Sequence, residues 1–130
     1  MYGQFIDLPG SFAPTLDKVI AALKAEGFGI LSDIDVQKTL KEKIGAELPA
    51  YRILGACNPP LAHRALQAEP EVGLLLPCNV VVREEGGKIR VGFLDPQGMV
   101  ELTGNAQLRA VADEAQQRLQ RVREALLAGS

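Results

Sequence analysis

The chain has no tryptophan, one histidine, two methionines and two cysteines in 130 residues. Each scarcity excludes something. Aromatic residues make up 5%, so the core must be built mainly from Leu, Val, Ile and Ala. Two cysteines in a chain of this length do not make the disulfide framework of a small secreted domain. There is no Cys-x-x-Cys and no second histidine, which leaves the usual four-ligand zinc set unfilled. No apolar run approaches the ~20 residues that span a bilayer. Positive charge is not in excess, since 14 Lys and Arg stand against 16 Asp and Glu, for a net charge of -2. That lacks the basic footprint of non-specific nucleic-acid binding and the basic helix of membrane-surface binders. Met1-Tyr2-Gly3-Gln4-Phe5-Ile6 has no basic stretch followed by a long apolar run, as a signal peptide would. The expected setting is cytoplasmic, with reduced thiols, no membrane contact and no nucleic acid.

What is present is an ordinary globular composition, 47% hydrophobic and 23% charged, with one domain expected over residues 1–130. Gly3 to Leu8 reads as a strand, followed by a Pro9-Gly10 turn. Leu16, Val19, Ile20 and Leu23 follow an i, i+3, i+4, i+7 pattern, which predicts a helix from about Ala13 to Glu26 that stops at Gly27. Phe28 to Ile34 reads as a strand. Asp33 or Asp35 caps a helix over Val36 to Ile44, and Gly45 ends it. Tyr51 to Ala56 is a third strand and Pro59 to Ala68 a third helix, its inward positions Leu61, Ala62, Ala65 and Leu66. Glu71 to Leu76 fits either a buried strand or a tight helical turn. Asn79 to Glu84 and Lys88 to Leu94 form a hairpin around Gly86-Gly87. Asp95-Pro96-Gln97-Gly98 is a turn. Asn105 caps a last helix from Ala106 to about Leu127. On it, Leu108, Ala112, Ala115, Leu119, Val122 and Leu126 make a heptad-type seam. The seam either packs within its own domain or lends part of itself to a dimer contact.

The predicted architecture is α+β: a mostly antiparallel sheet with the longer helices on one face. A doubly wound parallel sheet is weakened by the hairpin and by the missing glycine-rich phosphate loop after the first strand.

Cys57-Asn58-Pro59-Pro60 is the most informative local motif. A strand ends at a cysteine, Asn58 supplies a helix N-cap, and proline opens the first turn, where its missing N–H costs nothing. Cys57 is thus expected beside the positive end of a helix dipole, which favours a thiolate. It could equally be a small buried hydrophobe packing the turn. A second Cys-Asn pair follows at Cys78-Asn79. Cys78, between a proline and a β-branched strand, is expected to be buried and inert. Cys57, His63 and Cys78 are conceivable soft ligands, but their spacing is not that of a zinc site, so no metal and no cofactor are expected. His63 is expected at the surface. Asp33/Asp35 reads as capping and Glu84/Glu85 as a solvated hairpin end. There is no nucleophile elbow and no phosphate loop, so whether the chain is an enzyme stays open.

Gly27-Phe28-Gly29-Ile30-Leu31, Asp33-Ile34-Asp35-Val36, Tyr51 through Ala62 and Gly73 through Val82 together resemble the bacterial and archaeal family called domain of unknown function 302. The likeness runs from about Phe5 to Met99, with a compatible final helix. It implies a TATA-binding-protein-like fold with a curved sheet, in β-α-β(4)-α order with short inserted helices, and a homodimer. It implies no catalytic residues, and that fold name is not a statement about DNA binding.

Two functions follow as expectations. The first is a homodimeric binding module for a small ligand or protein partner. Its site would lie on the uncovered sheet face, bordered by Cys57, Asn58, Cys78 and Asn79. The second is a thiol-dependent enzyme or redox sensor centred on Cys57.

Overall fold

Val80, Val82, Val91 and Phe93 are buried while their neighbours Asn79, Val81, Arg90 and Gly92 are not. This period-two pattern gives a sheet one covered face and one open face. The computed structural model describes residues 2–129. Its strands are β1 Gly3–Leu8, β2 Gly29–Asp35, β3 Tyr51–Cys57, β4 Cys78–Glu85 and β5 Lys88–Leu94. Its α-helices are α1 Phe12–Ala25, α2 Val36–Ile44, α3 Pro59–Ala68, α4 Gly98–Thr103 and α5 Arg109–Ala128. Tight 3-10 segments occupy Pro70–Leu75 and Ala106–Leu108. Among the described residues the strands form one antiparallel sheet in the order β1-β5-β4-β3-β2. The α+β class and the predicted element order are therefore observed.

Two hydrophobic clusters hold the fold. The first packs Leu16, Val19 and Leu23 of α1, and Leu119, Val122 and Leu126 of α5, onto Leu54, Val80, Val82, Val91 and Phe93 of the sheet. The second lies at the other end of α5. It joins Leu108, Val111, Ala112 and Ala115 to Leu61 and Ala65 of α3, Val72, and Met99 and Val100 of α4. Burying a Leu or Val side chain is worth about 1.5–3 kcal/mol, so these two contacts fix where α5 lies. All six seam positions, Leu108 in the 3-10 segment and the other five on α5, are buried inside the chain. The seam is thus covered within its own chain.

Several boundaries differ from the expectations for physical reasons. The 71–76 segment is a 3-10 helix, and Pro70 opens it instead of only stopping α3. A six-residue helix, α4, follows the Asp95–Gly98 turn. Asn105 caps a 3-10 turn, its Oδ1 accepting from Gln107 N at 2.9 Å, before α5 begins. Asp35 is the cap of α2, accepting from Lys38 N at 2.9 Å. Asp33 does something else: both its oxygens accept from the guanidinium of Arg52 across the β2–β3 pair. Amphipathic as it is, α2 has no fully buried residue among those described. Its apolar spacing marks a helix, not a packed face. Glu84 and Glu85 do lie beside the hairpin turn, exposed, with Gly86 and Gly87 at φ 57° and 83°.

Candidate functional site

The end of β3 builds one side of the site. Asn58 follows Cys57, and its Oδ1 accepts from Leu61 N at 3.3 Å, while its backbone carbonyl accepts from Ala62 N at 2.9 Å. Pro59 and Pro60 fill the first turn of α3, where no donor is needed. Asn58 is itself buried at 8% exposure. It wedges against Gly27, the residue that turns the chain out of α1. Gly27 has φ 85°, and a Cβ there would come within 2.8 Å of Asn58 Nδ2. Nearby, Arg118 Nη1 donates to the Glu26 carbonyl at 3.1 Å. The end of α1, the start of α3 and the middle of α5 therefore meet at one point.

The far end of α3 is fastened separately. Asn105 Nδ2 donates to the Ala68 carbonyl and to Glu69 Oε1, both at 3.0 Å. Midway, Arg64 Nη1 donates to Glu114 Oε1 at 3.1 Å, and Arg118 Nε donates to Glu114 Oε2 at 3.2 Å. The Arg64 hydrogen bond, then that of Arg118, holds the Glu114 carboxyl below its ordinary pKa. The pairs are exposed and contribute little stability. What they fix is the position of α3 relative to α5.

Beneath α3 lies a cavity of about 320 Å³. Phe28, Ala56 and Cys78 belong to the sheet side of it, and Leu61, Ala65 and Met99 to the helical side. Residues of both hydrophobic clusters line it. Leu31, the residue inserted at the β2 bulge, and Leu66 also line it. They are 70% and 41% exposed, which places apolar surface at the mouth. The walls are almost wholly apolar, with the Asn58 side chain as the main polar group.

Cys57 and Cys78 both line this cavity, and both are free thiols. They differ in exposure. Cys57 is half-buried beside the N-terminus of α3. Cys78 pairs in register with Ala56, one residue away from Cys57, and is buried. Burial first, and the nearby Cys57 charge second, push the Cys78 thiol up to about 11. Cys78 is therefore a neutral, inert wall at ordinary pH.

Three of the four expected site residues, Cys57, Asn58 and Cys78, come together. Asn79 does not join them. Strand alternation turns it to the opposite, open face of the sheet, where it lines a different concavity with Tyr2, Phe5 and Tyr51. Cys57, Asn58 and Cys78 line the cavity beneath α3, apart from the concavity that Asn79 lines. His63 is exposed on α3 and does not line the cavity. Among the described residues no group of three His, Cys, Asp or Glu is placed to hold a metal. No helix among them is long and apolar enough to cross a membrane.

Gly55 shows why the motif around these cysteines is so constrained. On the open face Ser32 and Pro77 close over it, and a Cβ would lie 2.3 Å from Ser32 Oγ and 2.8 Å from Pro77 Cγ. Gly55 thus makes room for Pro77, which lies next to Cys78 in sequence. The sequence over residues 6–126 matches the family described as "Domain of unknown function DUF302". The chain belongs to the DUF302 family. A crystal structure of an uncharacterized conserved DUF302 protein from Bacillus stearothermophilus is similar to this DUF302 chain. The TM-score is 0.89 at 31% identity, covering 97% of this chain and 98% of that one. No curated protein matches this sequence.

Sequence reasoning missed Met99, Val111, Ala115 and Phe28 as parts of the site. Met99 sits on α4, which has no side-chain cap and is only six residues long, so no periodic signal announces it. Val111 and Ala115 belong to the α5 stripe and its flank, where spacing reveals a buried face but not a void beside it.

Proposed function

We propose that this DUF302 chain is a small binding module whose cavity beneath α3 takes a small apolar molecule. The observation that carries this reading is the cavity itself. Protein interiors leave few voids larger than a water molecule. This one has about 320 Å³, and its walls offer little to any polar ligand. Ligand pockets start at about 300 Å³. An engineered apolar cavity of about 150 Å³ takes benzene, so the occupant here is on the order of ten heavy atoms. Leu31 and Leu66 at the mouth would shield the bound molecule, and any polar end would face water.

Calorimetric titration with straight-chain alcohols from 1-butanol to 1-decanol tests this reading. Affinity should rise about fourfold per methylene, the equivalent of ~0.8 kcal/mol, then level off once the cavity is full. Ala62→Phe, at a half-buried lining position, should abolish the binding without lowering the melting temperature. Affinity independent of chain length would refute the proposal.

A second reading rests on Cys57. A half-buried thiol in the wall of an apolar cavity, beside a helix N-terminus, suits a thiol-dependent enzyme or redox sensor acting on a bound electrophile. Assembly as a homodimer rests on the family resemblance alone, because the α5 seam is used internally.

A further inference from the structure

Tyr2, Phe5 and Tyr51 all line one concavity of about 370 Å³ on the open sheet face. The chain has only two tyrosines and four phenylalanines; the buried Phe93 also belongs to this lining, beside both tyrosines and Phe5. Two of these rings are not hidden there: Tyr2 is 79% and Phe5 40% exposed. Exposed aromatic rings gathered on one surface call for a partner. The rings are already arranged. Tyr2 meets the edge of Phe5 at 90°, with centroids 6.4 Å apart. Gly92 lies directly opposite Phe5 in register, and a Cβ there would come within 2.9 Å of the ring. The Phe5 ring therefore lies over bare backbone at Gly92.

The second, independent observation is electrostatic. Arg83 and Arg90 are direct cross-strand partners on this face, and both line the concavity. Like charges placed directly opposite each other destabilise a sheet. Each arginine has a carboxylate neighbour, Arg83 with Glu85 at 3.3 Å and Arg90 with Asp7 at 3.4 Å, and Asp7 is shared with Lys88 at 3.2 Å. Three cations therefore face two carboxylates, in a chain whose net charge is -2. Arg90 also stacks over the Phe5 ring at 5.0 Å. A pair of guanidinium groups beside aromatic rings fits a flat ring that carries an acid group.

We propose that the open sheet face is a second ligand site, for a planar aromatic carboxylate. The ring of the ligand stacks among Tyr2, Phe5 and Tyr51. Its carboxylate accepts from Arg83 and Arg90, and the Asn79 amide at the edge is free to donate. The ligand relieves the repulsion between the two arginines.

The probe is 2-naphthoate, titrated by calorimetry and followed by the ring proton NMR signals of Tyr2, Phe5 and Tyr51. Saturable binding with shifts confined to these rings is expected. Arg83→Gln and Arg90→Gln should each weaken it at least tenfold, and neutral 2-naphthylmethanol should bind at least tenfold more weakly. Each variant removes a like-charge pair together with one ion pair, so the melting temperature of each is recorded beside the titration, and only a loss of binding in a folded variant counts. Any one of three results would overturn the proposal: no saturable shift, equal binding of the neutral compound, or ring shifts that track protein concentration together with a dimer mass in light scattering. The last would make a second copy of the chain the occupant of this face.

Discussion

Raising the pH should destabilise the protein through Cys78. The folded thiol is pushed from its ordinary value of 9.0 to about 11, by burial and then by Cys57. Between these values the unfolded thiol is ionised while the folded one keeps its proton. The folded state then binds more protons, so stability is intact below pH 9 and falls as the pH rises through the window. With 1.36 kcal/mol per unit, the loss is about 0.4 kcal/mol at pH 9 and about 1.4 kcal/mol at pH 10. It approaches about 2.7 kcal/mol above pH 11. The assay is urea unfolding at pH 8, 9 and 10, for the wild type and for Cys78→Val, which keeps the volume and removes the proton. The two proteins share every other side chain, so the difference between them reports position 78. At a urea slope of about 1.5 kcal/mol/M, the wild-type midpoint should fall by about 0.9 M more than that of the variant between pH 8 and pH 10. Parallel curves for the two proteins would refute the placement of Cys78 in a dry wall.

Other outcomes follow from the same geometry. Iodoacetamide at pH 8 should label Cys57 and leave Cys78 untouched until denaturant is added, as mass spectrometry of the two peptides would show; equal labelling of both would contradict their difference in burial. Gly27→Ala should cost more than the ~1 kcal/mol of losing the Asn58 cap, because it strains a positive φ and displaces Asn58; a melting temperature within a degree of wild type would count against the three-helix junction. Leu119→Ala should lower stability by about 2–5 kcal/mol and leave the molecular mass in light scattering unchanged, since Leu119 is buried within its own chain; a change of mass without loss of stability would return the seam to a dimer interface.

The fold was legible wherever one periodicity acted alone. The Val80–Val82 and Val91–Phe93 alternation, the α1 spacing and the α5 seam each need a single buried face, and each has one. The N-cap at Asn58 was equally readable, because capping is decided by the two or three residues that make it. The site was less so. Cys57 and Cys78 were visible as unusual residues, but the cavity between them depends on Met99, Val111 and Phe28, which are distant in sequence and lie on two separate packing clusters. Asn79 lies on the open face, as expected, but Cys78 beside it in sequence does not. In a strand, adjacency means opposite faces. The open-face cluster of Tyr2, Phe5, Tyr51, Arg83 and Arg90 depends on the register of four strands, which no local pattern reveals.

The most direct test of the cavity beneath α3 is where a bound alkyl chain lies. Intermolecular NOEs between 1-decanol and the methyl groups of the protein measure this in solution. The proposed function predicts NOEs to Ala65, Met99 and Val111, lost in Ala62→Phe. NOEs only to Val81, Ile53 and Ile34 on the open sheet face, or none at saturating alcohol, would contradict it.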